Sequence, residues 1–216
     1  MKEKGARMTN NYEKVKKRQG LKLDARNIAQ IGVLSGIAFL LKMLEFPVWF
    51  APAFYRLDFS ELTVLIGGFA LGPVAGILIE LIKELLYLII HGSTTAGVGE
   101  LASFVINCSM VISSAVIYKW HKTRRTAIIS LAAGTLALIV IGCLMNAYVL
   151  LPLYAAAYHM PMSALISMGS AVNPSITNLQ TFIVLAVAPF NLFKGVTFSC
   201  LTMLLYKRVR PILHRM

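Results

Sequence analysis

The chain contains 216 residues, of which 57% are hydrophobic and 14% are charged, and its formal net charge is +12. Several apolar runs approach the ~20 residues that span a bilayer, which excludes an ordinary soluble domain and indicates an integral membrane protein. Of the 21 Lys and Arg residues, nine lie in residues 1–26, four in 119–125 and four in 207–215. By the positive-inside rule these three segments are cytoplasmic, so the basic charge indicates topology and contact with anionic membrane lipid rather than nucleic-acid binding.

The N-terminal region divides into a polar segment and a first helix. Residues 1–24 have no apolar period, and we predict that they form a mobile basic cytoplasmic tail. A transmembrane domain then covers residues 25–210, with a first helix over 25–44. Ala25, Ala29, Gly32 and Gly36 are spaced so that a second helix can approach closely. That second helix can belong to this bundle or to another protein, and the pattern favours neither.

Residues 45–59 form the first predicted outer loop, and two short apolar segments follow it. The loop is rich in Pro and aromatic residues, a composition typical of the membrane interface. The run 60–90 is interrupted at Gly72-Pro73, which predicts a helix break. The second helix would then span only ~20 Å at ~1.5 Å per residue, so a re-entrant segment is an alternative.

The third and fourth predicted helices cover residues 74–90 and 100–118. The third carries Glu80, Lys83 and Glu84. Glu80 and Lys83 are three residues apart and can neutralise each other, which favours a structural ion pair. The linking residues 91–99 are rich in Gly, Ser and Thr and are expected to form a flexible outer loop that can act as a gate.

The fifth predicted helix runs over 126–151 and ends at Pro152. Residues 153–178 have no charge and are interpreted as a loop, and the sixth helix follows over 183–206. The predicted fold is an all-α, multi-pass protein of the cell membrane with six transmembrane helices and both termini in the cytoplasm. Only Arg56, among all Lys and Arg, falls in a predicted outer loop, which agrees with this topology.

Lys194 lies inside the sixth apolar stretch, ~20 Å from the basic pair at 207–208 at ~1.5 Å per residue. Asn191 is one helical turn away on the same side. No Asp or Glu follows Glu100 in the chain, so a counter-ion must come from a distant segment or from a ligand. Because a buried lysine is costly, it predicts a functional site. The alternative is a structural role, with Lys194 bonding carbonyl groups that Pro189 frees.

Three polar residues are predicted to converge in the outer half of the membrane: Asn146, Asn191 and Lys194. Asn146 lies about 30 Å from Arg125 along its helix, which places it near the outer surface. Two amides and an ammonium can fix a ligand's orientation. The loop residues Trp49, Phe50, Phe54, Tyr55 and Leu57 can cover a flat apolar body, which favours a heteroaromatic ligand over an ion.

The sequence contains no ATPase, metal-site or hydrolase motif. We therefore expect neither an enzyme nor a cofactor, and energy for uphill transport must come from other proteins.

Four ordered motifs resemble a known family. They are LDFSEL at 57–62, IGGFALGP at 66–73, TTAGVGEL at 94–101 and NLFKG at 191–195. The chain resembles, over nearly all of residues 22–210, the riboflavin-binding S components of energy-coupling factor vitamin transporters. The resemblance implies a six-helix protein that takes riboflavin from outside and passes it to a transmembrane coupling subunit with two ATPase subunits. It also implies that Asn146, Asn191 and Lys194 contact the flavin under the first loop.

The same resemblance implies that small residues on the first helix dock onto the coupling subunit. Ala25 and Ala29 are the corresponding residues, although Gly32 and Gly36 offer the same geometry one or two turns later. Two other functions remain open. One is an S component or facilitative carrier for another small vitamin or for FMN or FAD, and the other is an integral membrane enzyme using Glu80, Lys83, Glu84 and His91.

Overall fold

A computed structural model of the chain describes residues 24–93 and 97–215, and at 207 and 209–215 it describes the backbone alone. The predicted tail, apart from Asp24, and positions 94–96 of the predicted gate lie outside the described residues. The remaining chain is mostly helical, in agreement with the expected fold class. A single pair of two-residue strands is the only sheet within those residues.

The first four helices follow one another in the chain, with the first loop between the first two. They are α1 (Ala25–Lys42), α2 (Ser60–Leu71), α3 (Pro73–His91) and α4 (Val98–Trp120). A fifth long rod consists of α5 (Arg124–Met145), a first π-helical segment (Asn146–Leu150) and α6 (Leu151–Ala157). After α7 (Met162–Ser170), a sixth rod consists of α8 (Leu179–Phe182), a second π-helical segment (Ile183–Val187) and α9 (Ala188–Arg215).

Three stretches among the described residues are long and apolar enough to cross a membrane by length and composition. They are Val98–Trp120, Arg124–Ala157 and Leu179–Tyr206. Helix α2 is apolar but has only 12 residues, and the 19-residue α3 contains three charged residues. The ionised groups of the bundle therefore concentrate where the helices are shortest or least apolar.

The break between α2 and α3 is confirmed at Gly72-Pro73. Gly72 has φ +108°, a conformation that favours glycine, and Pro73 occupies the first turn of α3, where its missing N–H costs nothing. The two helices then pack with Gly68 against Gly76, because a Cβ placed on Gly76 would lie 3.2 Å from the Gly68 Cα. Glycine at both positions therefore lets the two helices approach closely.

The prediction that Pro152 ends the fifth helix is wrong. The rod continues to Ala157 because the preceding turn is π-helical, with the Leu151 N–H bonded to the Asn146 carbonyl five residues back. The extra residue in this turn moves the preceding carbonyl groups away from the proline ring. Pro189 is accommodated in the same way, since the Ala188 N–H bonds the Ile183 carbonyl. The helix before Pro189 is therefore widened rather than broken.

The interpretation of residues 153–178 as a loop is also wrong. They include the end of α6 and the nine residues of α7, and the last rod begins four residues earlier than predicted, at Leu179. Asn178 caps that start, since its Oδ1 accepts from the Thr181 N–H while the Thr181 hydroxyl accepts from the Asn178 N–H. Without charges, the helical period of this small-residue segment was too weak to identify.

The first loop contains a short hairpin in which β1 (Phe46–Pro47) pairs antiparallel with β2 (Arg56–Leu57). An exposed ion pair closes its base, with the Arg56 guanidinium donating to Glu45 at 2.7 Å. Glu45 thereby raises the pKa of Arg56 above its ordinary value. The hairpin returns the chain to the bundle at Leu57 and Asp58, both of which are buried.

Candidate ligand-binding site

Asn146 and Asn191 meet across the fifth and sixth rods. Each amide nitrogen donates to a carbonyl one turn back on its own helix, Asn146 to Gly142 at 2.8 Å and Asn191 to Val187 at 3.0 Å. The two rods come together at Gly142, where an added Cβ would lie 2.6 Å from the Asn191 Nδ2. Both side chains are buried. The two predicted ligand contacts are therefore neighbours, held in fixed orientations beside the π-helical segments.

Tyr55 carries the first loop into this site. Its hydroxyl donates to the Asn146 Oδ1 at 2.6 Å, and its ring lies 5.1 Å from that of Phe190. Burial raises the pKa of Tyr55 well above its ordinary value, so the phenol stays protonated and remains a donor. Phe54 packs beside Tyr55 and stacks on Phe182, with ring centroids 6.4 Å apart. The loop thus presents an aromatic wall to the two asparagines.

Lys194 is buried one turn beyond Asn191, and its ammonium donates to the Asn107 Oδ1 of α4 at 3.0 Å. The Asn107 Nδ2 in turn donates to the Glu80 Oε1 of α3 at 3.0 Å. The amide orientation follows from chemistry, because an ammonium only donates and a carboxylate only accepts. Asn107 therefore connects the lysine of the last rod to a carboxylate of the third helix. The carboxylate linked to Lys194 is thus Glu80, which comes from a distant segment of the chain, and the neutral side chain of Asn107 lies between them.

Lys83 lies at the centre of a buried ionic cluster. Its ammonium is 2.7 Å from Glu61, 2.6 Å from Glu80 and 3.4 Å from Glu84, and it also bonds the Ser60 hydroxyl at 3.2 Å. Lys83, Glu61 and Glu80 are at most 1% exposed as side chains. The predicted Glu80–Lys83 pair is confirmed, but the cluster is larger than predicted because α2 and α4 also contribute to it.

The cluster extends to α1 through a short ion pair between Glu84 and Lys42. The Lys42 ammonium also lies 4.4 Å from the centre of the Tyr87 ring, a cation–π contact. A continuous path of polar contacts therefore runs from α1 through α3 and α4 to Lys194. In a medium of low dielectric, the contacts along such a path are strong while every member is paired. Removing one member leaves a buried polar or charged group without its partner and lowers the stability of the protein.

Asp58 joins the hairpin to the cluster. Its Oδ1 accepts from the Ser60 N–H at 2.8 Å at the start of α2. Burial alone would raise the pKa of Asp58, but the ammonium groups of Lys194 and Lys83, together with the hydrogen bond from Ser60, outweigh it and hold the pKa below its ordinary value. Asp58 is therefore ionised and supplies negative potential to both lysines. Leu57, the residue before it, is 3% exposed and is fixed beside the site by the hairpin.

The other aromatic residues of the first loop form a separate group. Trp49 is 83% exposed, and its ring lies 5.3 Å from Phe50 and 6.4 Å from Phe193. Phe193 is 37% exposed, whereas Asn191 and Lys194 are buried. Helical spacing also points Phe193 away from those two residues on α9. Trp49 and Phe50 therefore do not contribute to the wall that Phe54 and Tyr55 form.

The predicted docking residues lie on the surface of α1. Ala25, Ala29 and Gly32 are exposed, and Gly36 is half-buried. An added Cβ on Gly32 or Gly36 would meet nothing within 4 Å. Within the described residues, no helix of this bundle covers the small-residue face.

Several residues of the site were not identified from sequence. Asp58, Glu61 and Asn107 each connect two elements, and Lys42 ends the network. The usable signal was a polar side chain inside an apolar stretch, which is costly in lipid unless paired. That signal marks Glu61, Asn107 and Lys42 as well as the residues that we selected, but it does not say which of them share a partner.

Together these groups can bind a polar, planar ligand. Asparagine amides, a lysine ammonium and a phenol provide donors and acceptors, and Phe54, Phe182 and Phe190 provide apolar surface. Sites for small organic ligands typically combine an apolar lining with a few fixed polar groups. The chemistry here is recognition, with the ammonium as the group able to make a charge-assisted hydrogen bond.

Comparison with known proteins gives consistent results. The family described as "ECF transporter, substrate-specific component" matches residues 26–206. The chain is 34% identical to the riboflavin transporter RibU of Staphylococcus aureus strain TCH60 over 191 residues, covering 88% of this chain and 93% of that protein. It is 30% identical to the riboflavin transporter FmnP of Bacillus subtilis strain 168, covering 88% and 94%.

A solved structure described as the S component of a bacterial ECF transporter is also similar. The two chains superpose with a TM-score of 0.69 at 30% identity, and the match covers 87% of this chain and 96% of that one. The family match over residues 26–206 includes both the first loop and most of the last rod.

Proposed function

Since this chain belongs to the family of substrate-specific (S) components of energy-coupling factor (ECF) transporters, we propose that it binds riboflavin from the outer side of the membrane. It delivers the vitamin across the membrane together with an ATP-driven module. The observation that carries this proposal is the extended similarity to two riboflavin transporters, each covering 88% of the chain. The family is one of transporter components, so the polar cluster around Lys83 is structural rather than catalytic.

The proposed topology has six transmembrane spans with both termini in the cytoplasm. Helices α1 to α4 and the fifth and sixth rods supply the spans, of which α2 is too short to cross ~30 Å of hydrocarbon at ~1.5 Å per residue without thinning of the membrane. Basic residues at 119–125 and 207–215 lie at one end of the bundle, which favours that end as cytoplasmic. The candidate site then lies in the outer half.

In the proposed complex, Asn146, Asn191 and Lys194 bond the polar edge of the flavin, and Phe54, Tyr55 and Leu57 cover its rings. This assignment is supported by the burial of the three polar residues and by the way the loop reaches Asn146 through Tyr55. Arg56 lies in the loop, but its guanidinium is paired with Glu45, so it is not free to donate to the phosphate of FMN or FAD.

Binding by the purified protein tests the ligand. Quenching of flavin fluorescence is measured with riboflavin, FMN and FAD, and thiamine binding is measured in parallel by calorimetry. Saturable binding of riboflavin, with weaker binding of the other three, supports the proposal. Tighter binding of thiamine would overturn the flavin assignment, and equal binding of FMN would extend it to phosphorylated flavins.

Transport requires partners, proposed to be one transmembrane coupling subunit and two ATPase subunits. The exposed face formed by Ala25, Ala29 and Gly32 is the proposed docking surface, because small side chains let another helix approach closely. Replacing Ala25 and Ala29 by Trp should abolish ATP-dependent riboflavin uptake into vesicles with the coexpressed module, while riboflavin affinity stays within about twofold, since outer-half contacts are unchanged.

The matched control is Ile37→Trp, which adds bulk at another exposed position of α1, about a quarter turn from the small-residue face. This variant should keep uptake. Full uptake by the double variant would refute the docking role of Ala25 and Ala29. Equal loss of uptake by the control would show that bulk anywhere on α1 disturbs the protein.

A further inference from the structure

A long apolar groove runs along the membrane-facing surface between α5 and α9. Its volume is about 780 Å³. Helix α5 contributes residues spaced at helical intervals, and α9 contributes a second such row. The main lining residues are Ile128, Ala132 and Leu136 of α5, with Leu192, Cys200 and Leu204 of α9. Leu136 is 62% exposed and Leu204 is 69% exposed, so these side chains form walls that the protein itself does not cover.

The floor of the groove is closed. Thr135 and Ser199, its two hydroxyl residues, lie within hydrogen-bond distance of each other at 3.2 Å. Below them the helices touch, because Gly195 has no Cβ and an added one would lie 2.6 Å from the Thr135 Cγ2. The groove therefore offers apolar surface with its polar groups already paired, which suits a hydrocarbon chain.

Two arginines stand at one end of the groove. Arg124 precedes Ile128 by four residues on α5, and Arg208 follows Leu204 by four residues on α9, so helical spacing puts each arginine in line with a groove wall. Both are exposed. No Asp or Glu follows Glu100 in the sequence, and neither arginine is ion-paired within the described part of the chain. This end therefore has two guanidinium groups available to an anion.

The length of the groove selects its occupant. From Ile128 to Ile139 the α5 wall extends ~16 Å at ~1.5 Å per residue, which matches half of a ~30 Å hydrocarbon core. A partner helix crossing the membrane would need a surface of twice that length. An acyl chain of one leaflet needs only this much, with its headgroup at the arginines.

We propose that the groove between α5 and α9 binds an anionic glycerophospholipid of the cytoplasmic leaflet, with an acyl chain in the groove and its phosphate at Arg124 and Arg208. The inference rests on the proposed topology, which places the arginines on the cytoplasmic side. Basic sites between transmembrane helices on that side are suited to anionic headgroups. The lipid is separate from the flavin, because Lys194 and Asn191 face the bundle interior.

Native mass spectrometry tests the site with phosphatidylglycerol and phosphatidylcholine of identical chains at equal concentration. We expect one phosphatidylglycerol to remain bound, with a preference of roughly ten- to thirtyfold from the two arginines. Arg124→Gln with Arg208→Gln should remove the preference, whereas Lys119→Gln with Lys122→Gln, an equal charge change in the nearby link, should keep it. Equal binding of both lipids by the wild type would overturn the proposal.

Filling the groove separates the acyl chain from the headgroup. Ala132→Phe should expel the bound lipid, and Ile129→Phe, which adds an aromatic ring to an exposed position outside the groove, should not. Glycerol 3-phosphate should not compete at equal concentration, and competition would indicate a soluble-phosphate site instead. Dimers that are abolished by Ala132→Phe, without lipid, would indicate a second copy of the chain and overturn the proposal.

Riboflavin titration of the same variants keeps the two proposals distinguishable. Retained flavin binding without a preference for phosphatidylglycerol would overturn only the proposed lipid site. Preferential binding of phosphatidylglycerol without flavin binding would overturn only the proposal that the ligand is riboflavin.

Discussion

The first four helices and the last two rods treat buried charge in different ways. Between Asp58 and Glu84 the chain buries four carboxylates, and the two lysines paired with the three glutamates, Lys42 and Lys83, lie in the same half. After Arg125, Lys194 is the one buried charge among the described residues, and the other buried polar groups near it are uncharged amides. In the first region four carboxylates share two lysines, so excess negative charge faces Lys194, whereas the second region presents a few oriented polar groups.

This difference indicates which region is a scaffold and which can bind. Each carboxylate around Lys83 already has a cation within 3.4 Å, so exchanging those contacts for a ligand would leave ions unpaired in a medium of low dielectric. The amides of Asn146 and Asn191 are held by carbonyls of their own helices and carry no charge. The two regions meet at the Asn107–Lys194 contact, where the scaffold supports the binding residue.

Replacing Lys83 by Met should have the largest effect. It removes the common cation of Glu61, Glu80 and Glu84, and breaking a buried ion pair typically destabilises a protein by about 3–5 kcal/mol. We expect poor yield and a strongly lowered unfolding temperature in detergent. The measurement is thermal unfolding monitored by circular dichroism and size-exclusion chromatography.

Lys42→Met is the matched control, because it makes the same chemical change at the end of the network. Glu84 then keeps Lys83 at 3.4 Å, so the loss of stability should be smaller than for Lys83→Met. If both variants unfolded at the wild-type temperature, the cluster would not be the ionic scaffold described here.

Lys194→Ala should have an intermediate effect, on binding more than on stability. Loss of a charge-assisted hydrogen bond costs about 1.5–3 kcal/mol, or roughly ten- to a hundredfold in riboflavin affinity. Fluorescence titration measures the affinity, and size-exclusion chromatography checks the fold. Wild-type affinity in a folded Lys194→Ala protein would remove Lys194 from the site.

Asn191→Ala and Asn146→Ala are parallel variants with smaller expected losses of riboflavin affinity, because hydrogen bonds between neutral groups are weaker than charge-assisted ones.

Tyr55→Phe should have the smallest effect, and of opposite sign. The Tyr55 hydroxyl occupies the Asn146 Oδ1, so a ligand that uses this oxygen must displace it. Removing the hydroxyl removes a bond worth about 0.5–1.5 kcal/mol to the ligand-free protein and should raise riboflavin affinity by roughly two- to tenfold. Titration and thermal unfolding are measured on the same sample. Unchanged affinity would mean that the phenol stays bonded to Asn146 in the complex.

The sequence was sufficient for features that depend on composition and local spacing. The apolar stretches, the Gly72-Pro73 break and the Glu80–Lys83 pair all follow from residues close together in the chain. The contacts of Lys83 with Glu61 and of Lys194 with Asn107 span 22 and 87 residues, and no local pattern specifies them. Pro152 was misjudged because proline ends a regular α-helix, and a widened turn is decided by packing against the neighbouring rod rather than by the proline itself.

The two π-helical segments also affect how this chain aligns with its relatives. Each holds one residue more than an α-helical turn of the same rise, so removing a single residue from 146–150 or 183–187 would restore regular winding. Deletion elsewhere in a transmembrane helix rotates all later side chains by about 100°. At these two places the rotation is absorbed within one turn. Related sequences that differ by one residue inside the fifth or sixth rod should therefore carry the gap here, and an ungapped alignment would pair the wrong faces of the helix beyond it.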